Sequence, residues 1–141
     1  MKISDVLRGK GTEVVTISPE ATVRELLARL AEHNVGALVV SADGRSVAGI
    51  VSERDVVRLL NGTADAYDVQ VSAIMTEQVH TCGPDDLIDN LMRLMTDRRI
   101  RHVPVLVDGS LAGIVSIGDV VKTRIGELEF EREQLSNYIS G

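Results

Sequence analysis

Two strings of this chain end an apolar run on a hydroxyl and, three residues later, a carboxylate: Gly49-Ile50-Val51-Ser52-Glu53-Arg54-Asp55 and Gly113-Ile114-Val115-Ser116-Ile117-Gly118-Asp119. Each sits where a strand is expected to hand over to a helix. Serine at the N-cap with an acid at the third helical position stabilises a helix start by about 1 kcal/mol with no ligand present. The same place offers free N–H groups and a positive dipole end, which suit a phosphate, while an acid one turn in can accept the two hydroxyls of a ribose. Those are the two polar ends of a nucleotide.

The neighbours strengthen the second possibility. Arg101 and His102 begin the strand expected to face the second string, supplying a fixed charge and a ring donor, and Arg54 lies inside the first. Gly36 and Ala37 at the matching place in the first copy leave room for a flat group, with Val35 and Ile100 as apolar walls. Lys122, one turn beyond Asp119, is a further candidate for a phosphate and equally an ordinary solvated helix residue.

The repetition extends outward from the two strings at a period of about 65 residues. Pro19 falls on Pro84, Val35 on Ile100 and Asp43-Gly44 on Asp108-Gly109, with one residue dropped near Ser46. A turn is where a duplicated unit tolerates such a change. Residues 1–62 form the first copy with its lead-in, 63–70 a polar connector, 71–126 the second copy and 127–141 a C-terminal helical extension. The lead-ins Ile3 to Arg8 and Val71 to Thr76 match one another and read as short helical segments, the first followed by a loop at Lys10-Gly11-Thr12.

Within each copy the pattern is β-α-β-β-α, so the fold class is mixed α/β (α+β) with two tandem units. Val14 to Ile17 is a brief strand, Thr22 and Glu25 form a capping box, and Val23, Leu26, Leu27 and Leu30 share one helix face. Residues 36–40 are apolar without alternation, as a strand buried on both sides should be, and 47–51 return antiparallel before a helix from Glu53 to Leu60. The second copy repeats the plan with a strand over 79–82, a helix over about 86–98, strands over 102–107 and 111–115, and a helix from Ile117. That last helix runs on through Gly126 to about Tyr138, with Val121, Ile125, Leu128, Leu135 and Ile139 on one side. Its apolar side suits either its own domain or a subunit contact.

Composition excludes several classes. No apolar run approaches the ~20 residues needed to span a bilayer. The first residues lack the apolar core of a secretory signal and the lone Cys82 has no internal disulfide partner, which together fit a reducing cytoplasm. A net charge of −6 argues against nonspecific nucleic-acid binding, and with only 2% aromatics a base would lie between aliphatic side chains. His33, His80 and His102 are far apart in sequence with no metal-like spacing, so no metal site is expected. Cys82 aligns with Ile17 and reads as a small core residue.

The paired units, the two Gly-Ile-Val-Ser-x-x-Asp strings and the run Ile100-Arg101-His102-Val103-Pro104-Val105 before Asp108-Gly109 closely resemble the tandem cystathionine-beta-synthase (CBS) domain pair, or Bateman module. The resemblance covers nearly the whole chain. It implies two units about a pseudo-twofold axis with adenosine ligands such as AMP, ADP, ATP, NAD(H) or S-adenosylmethionine between them. Matched by motif, Asp55 and Asp119 would bind ribose hydroxyls, Ser52 and Ser116 phosphate, and Arg54, Arg101 and His102 would line the phosphate end. Val35 and Ala37 in one cleft, and Ile100 in the other, would flank adenine. The copies also diverge, since Gly36-Ala37 stand where the second copy has Arg101-His102, and the two clefts need not be equal.

The expectation is a regulatory sensor of adenine nucleotides, without catalysis, acting on an effector protein in trans and forming a homodimer. The alternative is a module that only dimerises, with both strings serving as helix caps. An enzyme is the least supported class, because Ser116 has no base beside it in sequence, although His102 could approach it in space and mimic a dyad.

Overall fold

A computed structural model describes residues 1–11 and 13–140, so Thr12 of the expected loop lies outside the described residues. The first copy forms β1 (Thr16–Ile17), α2 (Val23–His33), β2 (Ala37–Val40), β3 (Gly49–Ser52) and α3 (Glu53–Leu60), preceded by α1 (Ile3–Lys10). The second forms α4 (Ile88–Arg98), β4 (His102–Val107), β5 (Ser110–Ser116) and α5 (Ile117–Ser140). The chain is a mixed α/β fold built on two small sheets, as the pattern of apolar residues requires.

In the first sheet β1 runs parallel to β2, which pairs antiparallel with β3; all four residues of β2 are buried, which explains its unbroken apolar run. Thr22 caps α2 through its hydroxyl, which accepts from the Glu25 N–H at 3.2 Å. The second sheet has only β4 and β5, joined by a two-residue turn whose Asp108 and Gly109 both take positive φ, 51° and 79°.

The strand expected over 79–82 does not form. It reduces to a single parallel bridge between Cys82 and Val105, in which Cys82 N–H bonds the Pro104 carbonyl and Leu106 N–H bonds the Cys82 carbonyl. Gly83 and Pro84 stop the ladder on one side, and on the other Val79 and His80 turn aside to line a cleft. The Cys82 thiol is pushed up to about 12, chiefly by burial and then by the charge of Asp86, so it is a protonated packing group.

The lead-ins cross over. α1 belongs by sequence to the first copy, yet Ile3, Val6 and Leu7 are buried with Ile88, Leu91, Met95, Val103, Val105 and Val115 of the second. Conversely Val71 is buried with Ile17, Val23, Leu26, Leu38 and Val51 of the first. Backbone bonds mark the exchange as symmetric: Ser4 N–H donates to the Pro84 carbonyl and Ser72 N–H to the Pro19 carbonyl, each at 2.9 Å. Burying a residue such as Ile3 stabilises by about 1.5–3 kcal/mol, so each unit depends on a segment that precedes the other in sequence.

α5 is one unbroken helix of 24 residues. Gly126 does not interrupt it, and Ile125, Leu128, Leu135 and Ile139 along it are at least half exposed.

Candidate functional site

Both Ser-x-x-Asp strings do form helix caps. The Ser52 N–H donates to Asp55 Oδ2 at 2.8 Å and the Ser52 hydroxyl donates to the same oxygen at 3.1 Å. In the second copy the Ser116 N–H donates to Asp119 Oδ2 at 2.8 Å while the Asp119 N–H donates to the Ser116 hydroxyl at 3.2 Å. Capping engages one oxygen of each carboxylate, and among the described residues Oδ1 of each accepts no hydrogen bond, leaving it available to a further donor.

The strand register fixes what faces each cap. Ala37 lies opposite Ser52 on β2 and β3, and His102 lies opposite Ser116 on β4 and β5. The strand-to-helix corners are tied in the same way, Glu53 N–H to the Gly36 carbonyl at 2.9 Å and Ile117 N–H to the Arg101 carbonyl at 2.8 Å. Among the described residues no hydrogen bond joins His102 to Ser116, whose hydroxyl accepts from the Asp119 N–H. Burial lowers the His102 pKa, and the charges of Lys10 and Arg101 lower it further against the opposing pull of Asp119 and Glu53. Its ring is neutral at pH 7.

A cleft of about 720 Å³ opens at the first cap and is walled by both copies. From the first come Gly36, Ala37, Ser52, Arg54 and Asp55; from the second come Ile100, Arg101 and His102. Ala37 and Ile100, assigned by resemblance to separate clefts, are thus walls of one. Val35, Ser116, Asp119 and Lys122 do not line it. Lys122 is exposed on α5 and Val35 is 39% exposed. A smaller recess of about 350 Å³ beside Thr16, Ser18, Glu25 and Arg29 contains neither capping string nor any residue of the second copy.

Several cleft residues escaped the sequence reading. Arg58 lies one helical turn beyond Arg54 on α3, and that four-residue spacing was a usable signal. Arg99 closes α4 in the left-handed conformation, φ 53°, as Asn34 closes α2 at φ 52°. An arginine where asparagine or glycine is preferred marks a position held for another reason. His80 shares the wall with His102, although the two are far apart in sequence, and Thr76 and Gln78 bring the second lead-in to the same cleft. Among the described residues none of Arg54, Arg58, Arg99 and Arg101 forms an ion pair with a carboxylate.

At the second cap the surroundings differ. The Lys10 ammonium, delivered by the end of α1, donates to Asp119 Oδ2 at 2.6 Å and to the Ile114 carbonyl at 2.8 Å. Burial opposes ionisation of Asp119, but the hydrogen bonds from Lys10 and from Ser116, with the charge of Lys10, outweigh it and hold the carboxyl below the usual range. The sequence reading did not single out Lys10.

Comparison with known proteins fits this geometry. The model of the CBS domain matches residues 3–62 and again residues 71–126. The chain is 39% identical over 99% of its length to the mitochondrial CBS domain-containing protein CBSX3 of Arabidopsis thaliana, covering 72% of that protein. It is 33% identical to the CBS domain-containing protein YhcV of Bacillus subtilis, over 77% of each chain. Among solved structures, a CBS-domain containing protein from Agrobacterium tumefaciens superposes with a TM-score of 0.84 at 45% identity, covering 88% of this chain and 99% of that one. The CBS domain pair of protein MJ0100, solved with 5′-methylthioadenosine and S-adenosyl-L-methionine, superposes at 0.78 with 25% identity, covering 90% of this chain and 98% of that one.

Proposed function

The chain belongs to the CBS-domain family and carries the domain twice, and from that premise we propose that it is a regulatory sensor whose first cleft binds an adenine nucleotide bearing phosphates. One observation carries the reading. The free oxygen of Asp55 shares a cleft with four arginines that, among the described residues, have no carboxylate partner, in a chain with 21 acids against 15 lysines and arginines. A cation cluster left unpaired on an acidic protein suits an anion, and the acid beside it suits ribose hydroxyls. The related MJ0100 pair holds adenosine compounds, which supports adenosine as the common part of the ligand. ADP, ATP, AMP and NAD(H) all fit this description, and the arginines favour those with more phosphate charge.

In this reading Asp55 takes the ribose and Ala37 and Ile100 flank the base. The Ser52 corner, Arg54, Arg58, Arg99, Arg101 and neutral His102 take the phosphates. Because both copies wall the cleft, a ligand that bridges them shifts their relative setting and so the surface shown to an effector protein. No catalytic step is assigned: among the described residues neither capping serine is hydrogen-bonded to a histidine, and each serine's recorded bonds are those of its helix cap. The protein is read as a cytoplasmic homodimer without nucleic-acid or membrane partners. Among the described residues no helix is long and apolar enough to cross a membrane, and the exposed apolar face of α5 supports reading it as the side on which a second copy would pack.

Thermal unfolding with added nucleotide tests this. A ligand at 100 times its Kd stabilises the folded state by about 2.7 kcal/mol, which raises the midpoint by several degrees. Asp55→Ala should abolish the rise as well as lowering the baseline through loss of the cap. If AMP, ADP, ATP and NAD all leave the midpoint unmoved at millimolar concentration, the strings are caps only and the dimerisation reading replaces this one.

A further inference from the structure

The two caps are related by the internal repeat, but among the described residues only the Asp119 carboxylate is already held by a cation of the chain itself. Lys10 of the first lead-in corresponds to Gln78 of the second, the equivalence being fixed by the matched Ser4 to Pro84 and Ser72 to Pro19 bonds. Gln78 lines the open cleft near Asp55 and forms no bond to it among the described residues. Lys10 instead reaches Asp119 at 2.6 Å and the Ile114 carbonyl at 2.8 Å.

The backbone explains why the two ends differ. In the first copy the Ile50 N–H and carbonyl are both bonded to Thr76, so the lead-in, after its short helical turn over Val71–Ala73, is bridged to β3 at that residue. In the second copy α1 stays helical through Lys10, no such bridge to Ile114 forms among the described residues, and the lysine ammonium satisfies the Ile114 carbonyl. The helical lead-in therefore ends with its cation over the second cap.

We propose that Lys10 is an in-chain occupant of the second cap, its ammonium holding the Asp119 carboxylate through Oδ2 so that a ribose would have to compete with it for that acid, and so confining the nucleotide to the first cleft, one per chain. This rests on the nucleotide reading given above. Both partners are about a quarter to a third exposed, so the contact is a displaceable plug. A charge-assisted bond of this kind weakens a competing ligand by about tenfold.

Calorimetric titration of the full chain with ADP is the test. The wild type should bind one ADP per chain, and Lys10→Gln, which copies Gln78, should bind two, with the added site lost again in Lys10→Gln/Asp119→Ala. Lys10→Met, which keeps the aliphatic stem and drops the charge, should behave as Lys10→Gln and guards against an effect of misfolding. Two equivalent sites in the wild type, or one site in both Lys10 variants, would overturn the proposal while leaving nucleotide binding intact. Absence of ADP binding to wild type and variants alike would instead overturn the nucleotide reading, and this proposal with it.

Discussion

A β-carbon placed on Gly49 would stand 2.7 Å from the carbonyl oxygen of Thr76 and 2.8 Å from the Met75 sulfur. The repeat reproduces the relationship at Gly113, where the nearest atom is a terminal methyl carbon of Leu7 at 2.8 Å. Leu7 and Met75 are matched residues of the two exchanged lead-ins. The glycine opening each Gly-Ile-Val-Ser string is thus the gap through which the other copy's lead-in passes.

The two glycines should differ in their tolerance of alanine. At Gly49 the obstacle includes backbone, which cannot move without disturbing the Ile50 to Thr76 bonds, so Gly49→Ala should destabilise by about 1–3 kcal/mol in urea unfolding. At Gly113 the obstacle is the end of a flexible side chain, and Gly113→Ala should lose less. Equal losses would mean that the first lead-in, which Gly113 meets, is as rigidly seated as the second.

Arg99 holds a left-handed conformation that the first copy assigns to Asn34. Arg99→Asn should raise baseline stability by roughly 0.5 kcal/mol, since asparagine is better suited to that conformation. The same change removes one cation from the cleft and should weaken ADP about tenfold. A variant that gains stability and keeps its affinity would remove Arg99 from the ligand's surroundings.

The lowered pKa of His102 makes stability depend on pH in a stated direction. A histidine depressed below 6.5 leaves the unfolded chain binding more protons through that range, so its contribution is present above pH 6.5 and is lost as pH falls through the folded value. Asp119, depressed below 3.8, loses its contribution only under more acid conditions. Stability measured from pH 7.5 to 5 should therefore fall, and His102→Gln should flatten that part of the curve while leaving the steeper loss near pH 3 in place.

The exposed side of α5 bears on assembly. Val121, Ile125, Leu128, Leu135 and Ile139 step by four, three, seven and four residues, with Arg132 interrupting the seven, and Leu128 and Leu135 are 57% and 63% exposed. If a second copy covers this face, Leu128→Lys with Leu135→Lys should shift sedimentation equilibrium from dimer to monomer while the far-UV spectrum and the core stay unchanged. A wild-type monomer at tens of micromolar would set the helix apart from any contact between copies.

The sequence by itself determined the repeat, the order of the elements and the chemistry at each strand-to-helix corner. Apolar runs, capping residues and turn residues act through neighbours a few positions away, so the helix from Glu53, the Asp108-Gly109 turn and the long final helix were all legible. The tertiary structure decided which copy completes which. Exchange of the lead-ins, the shared cleft that gathers Asp55 with Arg99 and Arg101, and the seating of Lys10 on Asp119 join residues dozens of positions apart. Loss of the strand over 79–82 belongs with them, because a residue pairs in a sheet or lines a cleft according to what packs beside it, and local pattern holds no record of that neighbour.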